Sequence, residues 1–205
     1  MISESSTFKA LKGSFEISNF SLLLIALKTL PSKSFISFLV ILSNFLSVSY
    51  LSSCSKENTK AKVYLHHLAF EKHYAIRPND KLDFIGLDDE LKQNKQIALT
   101  SDQFYISNGI QVFSNVVQRE TQPKSNRGLL TEQNERRLDD TFAHEQNLII
   151  EEDGKTLLVT GCAHNGIINI LEHFQEIKGR MPDYVIGGFH LSSRSGGNED
   201  SDMID

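Results

Sequence analysis

The stretch Leu158-Val159-Thr160-Gly161-Cys162-Ala163-His164-Asn165-Gly166-Ile167-Ile168-Asn169-Ile170 decides how the second half of this chain is read. Its first part continues an apolar, β-rich run from Thr156, and its last part opens a helical pattern in which Ile167, Ile168, Ile170, Leu171 and Phe174 recur up to Gly179. Between the two, Gly161 and Gly166 flank a strand-to-helix junction where the backbone must turn sharply. Pro182 and Asp183 mark the helix stop, and Tyr184-Val185-Ile186 is a short strand running into Gly187-Gly188-Phe189-His190-Leu191. Strand, helix and strand thus leave a histidine at each strand exit, the place where open α/β folds gather ligands. An α/β fold is the expectation.

That placement makes His164 and His190 the leading candidates for a metal site. Neutral imidazole is a good ligand for Zn²⁺, Fe²⁺ or Mn²⁺, and Cys162 lies two positions from His164 as a weaker candidate. His144, which precedes the next strand upstream, ranks with Cys162 behind the two strand-exit histidines. Glu145 beside it is a carboxylate able to orient a histidine.

Working outward, Asn147 to Ile150 reads as a strand joined through an Asp153-Gly154 hairpin turn to the run at Thr156. Residues 119 to 141 are polar and charged without apolar period, which predicts a long surface loop. Gln96 to Thr100 and Gln111 to Val117 read as strands divided by a turn at Ser107-Asn108-Gly109. Gly86 to Gln93 reads as a short helix with Asp88 as N-cap. Lys62 to His67 alternates as a strand, followed by a loop through Arg77. On this reading His66, His67 and His73 are surface or loop histidines, and His173 is solvated on the helix.

The composition divides the chain. Of its 205 residues 40% are hydrophobic and 23% charged, which suits one globular core. The formal net charge of -5 excludes a basic footprint, so nucleic acid is not an expected partner. The first 54 residues, however, are rich in Ser, Leu, Phe and Ile and hold no acid after Glu16, whereas nearly all Asp, Glu and Arg fall in residues 55–205. The uncharged run from Ser34 to Ser53 follows Lys28 and Lys33 and suits a signal-peptide core better than a spanning helix, because its serines and Asn44 are costly in hydrocarbon. It ends in Leu51-Ser52-Ser53-Cys54, which resembles the lipobox of bacterial lipoproteins and implies lipid attachment at Cys54. The organisation expected is a leader over 1–54, a linker over 55–61, a folded domain over 62–191 and a Ser, Gly and acid-rich tail over 192–205. Membrane association through the leader, at a bacterial envelope, is the expected location, with the cytoplasm as the alternative.

The segments Phe142-Ala143-His144-Glu145-Gln146-Asn147-Leu148-Ile149-Ile150, Leu158 to Ile170 and Ile186 to Leu191 together resemble the metallo-β-lactamase superfamily. The similarity runs from about Val63 to Leu191 and is nearest to its dihydropteroate-synthase-like or ribofuranosylaminobenzene 5'-phosphate synthase-like branch. It implies an αββα sandwich, here partial. It also implies that His164 and His190 belong to a divalent-metal and substrate site, with zinc first and iron or manganese as alternatives. The superfamily's His-x-His-x-Asp-His motif has no counterpart in this sequence, where no histidine precedes His66. The expectation is therefore a truncated or internally deleted metal-dependent hydrolase, whose intact relatives act on a small phosphate, pterin-like or ester compound. The alternative is a non-catalytic relic or binding domain anchored to a membrane.

Overall fold

A computed structural model describes residues 38–40 and 62–189. The leader around Cys54, the strand-exit residue His190 and the tail over 192–205 lie outside the described residues. In chain order the strands are β1 (Phe38–Val40), β2 (Lys62–His66), β3 (Lys72–Arg77), β4 (Lys81–Phe84), β5 (Ile97–Thr100), β6 (Gln103–Ser107) and β7 (Ile110–Phe113). They continue as β8 (Leu129–Gln133), β9 (Arg136–Asp139), β10 (Asn147–Glu152), β11 (Lys155–Val159) and β12 (Tyr184–Ile186). A single α-helix among the described residues, α1 (Ile167–Lys178), crosses from β11 to β12.

The strands form three sheets with orders β1-β2-β5, β12-β11-β10-β7-β6 and β4-β3-β8-β9. Both faces of the five-stranded sheet are apolar, which follows from the unbroken apolar runs of its central strands. On one face Phe113, Ile149 and Leu158 meet Ile170 and Phe174 of α1, residues four apart on the helix and fully buried. On the other face Ile110, Val112, Leu148 and Val159 pack with Tyr64 of β2. A third cluster of Val63, Leu65, Ala69, Leu87 and Leu91 lies beneath the first sheet.

The expected α/β architecture, a partial αββα sandwich, is therefore corrected. The described chain is mostly β, because helical apolar spacing is sustained over only one segment and the second face of the large sheet is covered from a strand. Gly86 to Gln93 supplies one 3-10 turn at Asp89–Gln93, although Asp88 does cap it, accepting from Glu90 N at 2.9 Å. The segment 119–141 is only partly a loop. Its second half is the β8–β9 hairpin, turned at Asn134 and Glu135 with φ of 50° and 62° and paired through β8 to β3. The loop expected before Arg77 is largely β3.

Several local expectations hold. Asp153 and Gly154, with φ of 50° and 73°, close the β10–β11 hairpin. The helix stops at Gly179, whose φ of 71° is left-handed and whose N–H donates to Gln175 O at 2.7 Å. β11 and β12 are parallel neighbours, and Gly188 N donates to Gly161 O at 2.7 Å, so the two strand exits adjoin.

Candidate functional site

His164 stands in the turn after β11 and is 2% exposed. The turn is reached through Ala163 at φ 57°, a conformation that costs a residue with a Cβ and persists only when its surroundings enforce it. The enforcing group is Glu145. Its Oε1 accepts from His164 N at 2.8 Å, and its Oε2 accepts from both Asn165 N and Asn165 Nδ2 at 2.9 Å. Burial pushes the Glu145 carboxyl up to about 7, against the opposing pull of those bonds from Asn165 and His164.

The imidazole of His164 is set by Asn126. Asn126 Nδ2 donates to His164 O at 2.7 Å, and Oδ1 of the same amide lies 2.9 Å from His164 Nδ1. With the amide so oriented, Nδ1 carries the proton and Nε2 carries the lone pair, the tautomer a metal ligand needs. The Phe142 ring stacks on the imidazole at 4.7 Å and 9°. Cys162, two residues back, is partly exposed at the same strand exit.

His144 stands in a cluster of its own composition. It meets His73 and Asp140, and the three offer ligand atoms that all lie within 4.8 Å of one another. All three are buried, at 1% exposure for His73, 8% for Asp140 and 7% for His144. His73 Nδ1 donates to Asp140 Oδ2 at 2.7 Å, while Asp140 Oδ1 accepts from Phe142 N at 2.8 Å and stands 3.9 Å from His144 Nδ1. The rings of His73 and His144 are 4.3 Å apart. Burial, with help from His73, drives His144 down to about 3 and so keeps it neutral. Burial would raise Asp140, but the His73 hydrogen bond and the neighbouring His144 outweigh it and leave the carboxyl below its usual range. The donor chemistry fits a divalent metal: two imidazoles, one carboxylate, and a buried His73 Nε2 that has no hydrogen-bond partner.

His73 and His66 are thus corrected from surface residues to buried ones. His73 alternates inward with Ala75 along β3, and His66, fully buried, lies 3.0 Å through Nε2 from Asp102 Oδ1 while its Nδ1 accepts from Leu68 N. His173 is packed rather than solvated, stacking on Phe113 at 5.4 Å and accepting from Val117 N. Sequence reasoning missed His73 and Asp140. The available signal was the strand alternation of Lys72 to Arg77, which places His73 on the same face as Ala75.

No protein-family model matches the chain. The chain is 31% identical over 137 residues, 63% of its length, to an uncharacterized protein of Methanocaldococcus jannaschii, of which the match covers 47%. Among solved structures it is similar to a metal-dependent hydrolase of the β-lactamase superfamily, at 26% identity and a TM-score of 0.55. That likeness covers 66% of this chain and 52% of the hydrolase. The chain spans about half the length of each of these two proteins, and the solved structure is that of a metal-dependent hydrolase of the β-lactamase superfamily.

Proposed function

We propose that this chain carries part of the metal site of a metal-dependent hydrolase of the metallo-β-lactamase superfamily, with His164 and His190 as ligands at the adjoining strand exits. The observation that carries this reading is the preparation of His164: buried, fixed in ring tautomer by Asn126 and in backbone position by Glu145. Such outer partners are the arrangement that orients a ligating imidazole. Cys162 is the weaker candidate at the same exit. A bound Zn²⁺ would polarise a substrate oxygen and bring its water toward neutral pKa.

The chain's own residues hold and orient. Asn126 keeps the proton on His164 Nδ1, Glu145 keeps the 163–165 turn closed, and Phe142 shields one face of the imidazole. Substrate in the longer relatives is read as a small phosphate, pterin-like or ester compound, within the dihydropteroate-synthase-like or ribofuranosylaminobenzene 5'-phosphate synthase-like branch. Two histidines fall below the three or four protein ligands usual for such metals. The reading therefore assigns this chain metal-site framework and little turnover by itself. A specific feature favours the alternative of a non-catalytic binding domain, namely the absence of His-x-His-x-Asp-His from the sequence.

The test is zinc content and hydrolysis of a chromogenic phosphodiester and an ester by the full chain, its His164→Ala and His190→Ala variants, and a chain into which a relative's His-x-His-x-Asp-His segment has been inserted between Lys60 and Val63. Insertion should raise metal content and turnover, and either alanine should remove most of the gain. Gains indifferent to both alanines would place the site elsewhere.

A further inference from the structure

We infer that His73, Asp140 and His144 form a second divalent-metal site, of the zinc class, which ties β3 to the segment that positions His164. The site is independent of the one assigned to His164 and His190, and its test separates the two.

Buried polar groups in native structures are almost always partnered, and an exception calls for an unseen ion or water. Asp140 is well partnered, by His73 Nδ1 and by Phe142 N. His73 is not. His73 uses Nδ1 on Asp140 and is left with a buried, unpartnered Nε2. His144 stands 3.9 Å from its nearest carboxylate oxygen. A cluster kept only for its internal hydrogen bonds would leave His73 Nε2 unused in the interior, at a cost of about 1–3 kcal/mol. A cation takes up such lone pairs.

Geometry agrees. A tetrahedral ion with bonds near roughly 2.1 Å holds its donors about 3.4 Å apart. The three donors here lie within 4.8 Å of one another, so small side-chain rotations close the shell. Two nitrogens and one carboxylate oxygen suit Zn²⁺, with Fe²⁺ and Mn²⁺ close behind, and do not suit Ca²⁺ or Mg²⁺, which prefer oxygen throughout. The carboxylate also balances half the charge of the ion at a buried position.

The location suggests the consequence. His73 comes from β3, whereas Asp140 and His144 open the segment that continues into Glu145, the residue holding the His164 turn. The Phe142 ring, between Asp140 and His144 in sequence, contacts both His144 at 6.3 Å and His164 at 4.7 Å. An ion binding His73 to this segment would hold Glu145 and Phe142 in register with His164.

The experiment uses the full chain, stripped with a chelator and titrated with Co²⁺ as a visible reporter and with Zn²⁺. Wild type should develop a tetrahedral Co²⁺ band, and Zn²⁺ should raise its Tm. His73→Gln and His144→Gln should each weaken Co²⁺ binding about tenfold or more and abolish the Zn²⁺-dependent Tm shift. His164→Ala, which removes a ligand of the other site, should keep both. Asp140→Asn, nearly isosteric, decides the matter if the histidine variants fail to fold, and should show the same loss of Co²⁺ affinity. The inference is overturned if wild type shows neither band nor shift, or if His164→Ala abolishes them while Asp140→Asn and the histidine variants do not. The second result would instead favour the reading of His164 and His190, which its own alanine variants in the inserted chain test separately.

Discussion

At the scale of the residue, two neighbours in sequence are driven in opposite directions by the same burial. In the metal-free protein His144 falls to about 3 from 6.5, so the unfolded chain takes up a proton that the folded one refuses, and stability is lost as pH drops below 6.5. Glu145 rises to about 7 from 4.5, so the folded chain keeps a proton that the unfolded one releases. Its contribution is complete below 4.5 and is lost as pH rises through about 7. Between 4.5 and 6.5 the two slopes oppose each other. Glu145→Gln removes one of them, so the variant's stability should rise more steeply with pH than wild type across that window, by on the order of 1 kcal/mol per pH unit. His144→Gln should tilt the dependence the other way. Urea unfolding at several pH values measures this, and three parallel curves would refute the assignment. Near pH 8 the Glu145→Gln amide must also turn an NH₂ toward the N–H donors of His164 and Asn165, costing about 1–3 kcal/mol.

At the scale of the element, the exits of β11 and β12 are held together by the lack of a side chain at Gly187. A Cβ there would lie 2.5 Å from both Thr160 O and Thr160 Cγ2. Gly187→Ala must therefore force the two exits apart, at a cost of about 1–3 kcal/mol. Gly154, in the β10–β11 turn, offers a contrast: its φ of +73° strains an alanine, but nothing lies within 4 Å of the added atom. There the loss should be about 1 kcal/mol, and metal binding at His164 should be unchanged. Denaturant unfolding of both variants, with zinc content measured alongside, should show the larger loss of stability and metal in Gly187→Ala. Equal behaviour would mean that the exits are not held by this contact.

At the scale of the whole molecule, the apolar first 54 residues, with no acid after Glu16, and the acid-rich remainder are suited to different surroundings. We keep lipid attachment at Cys54 and residence at a bacterial envelope as a proposal carried by the sequence Leu51-Ser52-Ser53-Cys54. No helix among the described residues is long and apolar enough to cross a membrane, and of residues 1–54 only the strand β1 (Phe38–Val40) is among them. Expressed in a bacterium, the chain should partition into detergent and Cys54→Ser should move it to the aqueous phase, since a lipid chain adds about 0.8 kcal/mol per buried CH₂. Aqueous wild-type protein would count against the anchor.

What the sequence by itself determined is local. The strand, turn and helix from Thr156 to Gly179, the Asp153-Gly154 turn, the cap at Asp88 and the neighbouring strand exits were all legible, because each depends on period, propensity or φ preference within a few residues. The candidacy of His164 followed from the same local grammar. Only the tertiary structure decided the rest. The polar segment Leu129 to Asp139 has no buried apolar face to announce it, and it becomes strand by pairing with β3. His73 and Asp140 are 67 residues apart and meet only because that pairing carries Asp140 to the buried face of β3. A cluster that joins a strand side chain, His73, to the connection after β9 is a property of sheet register, and register is set by long-range pairing that no local window contains.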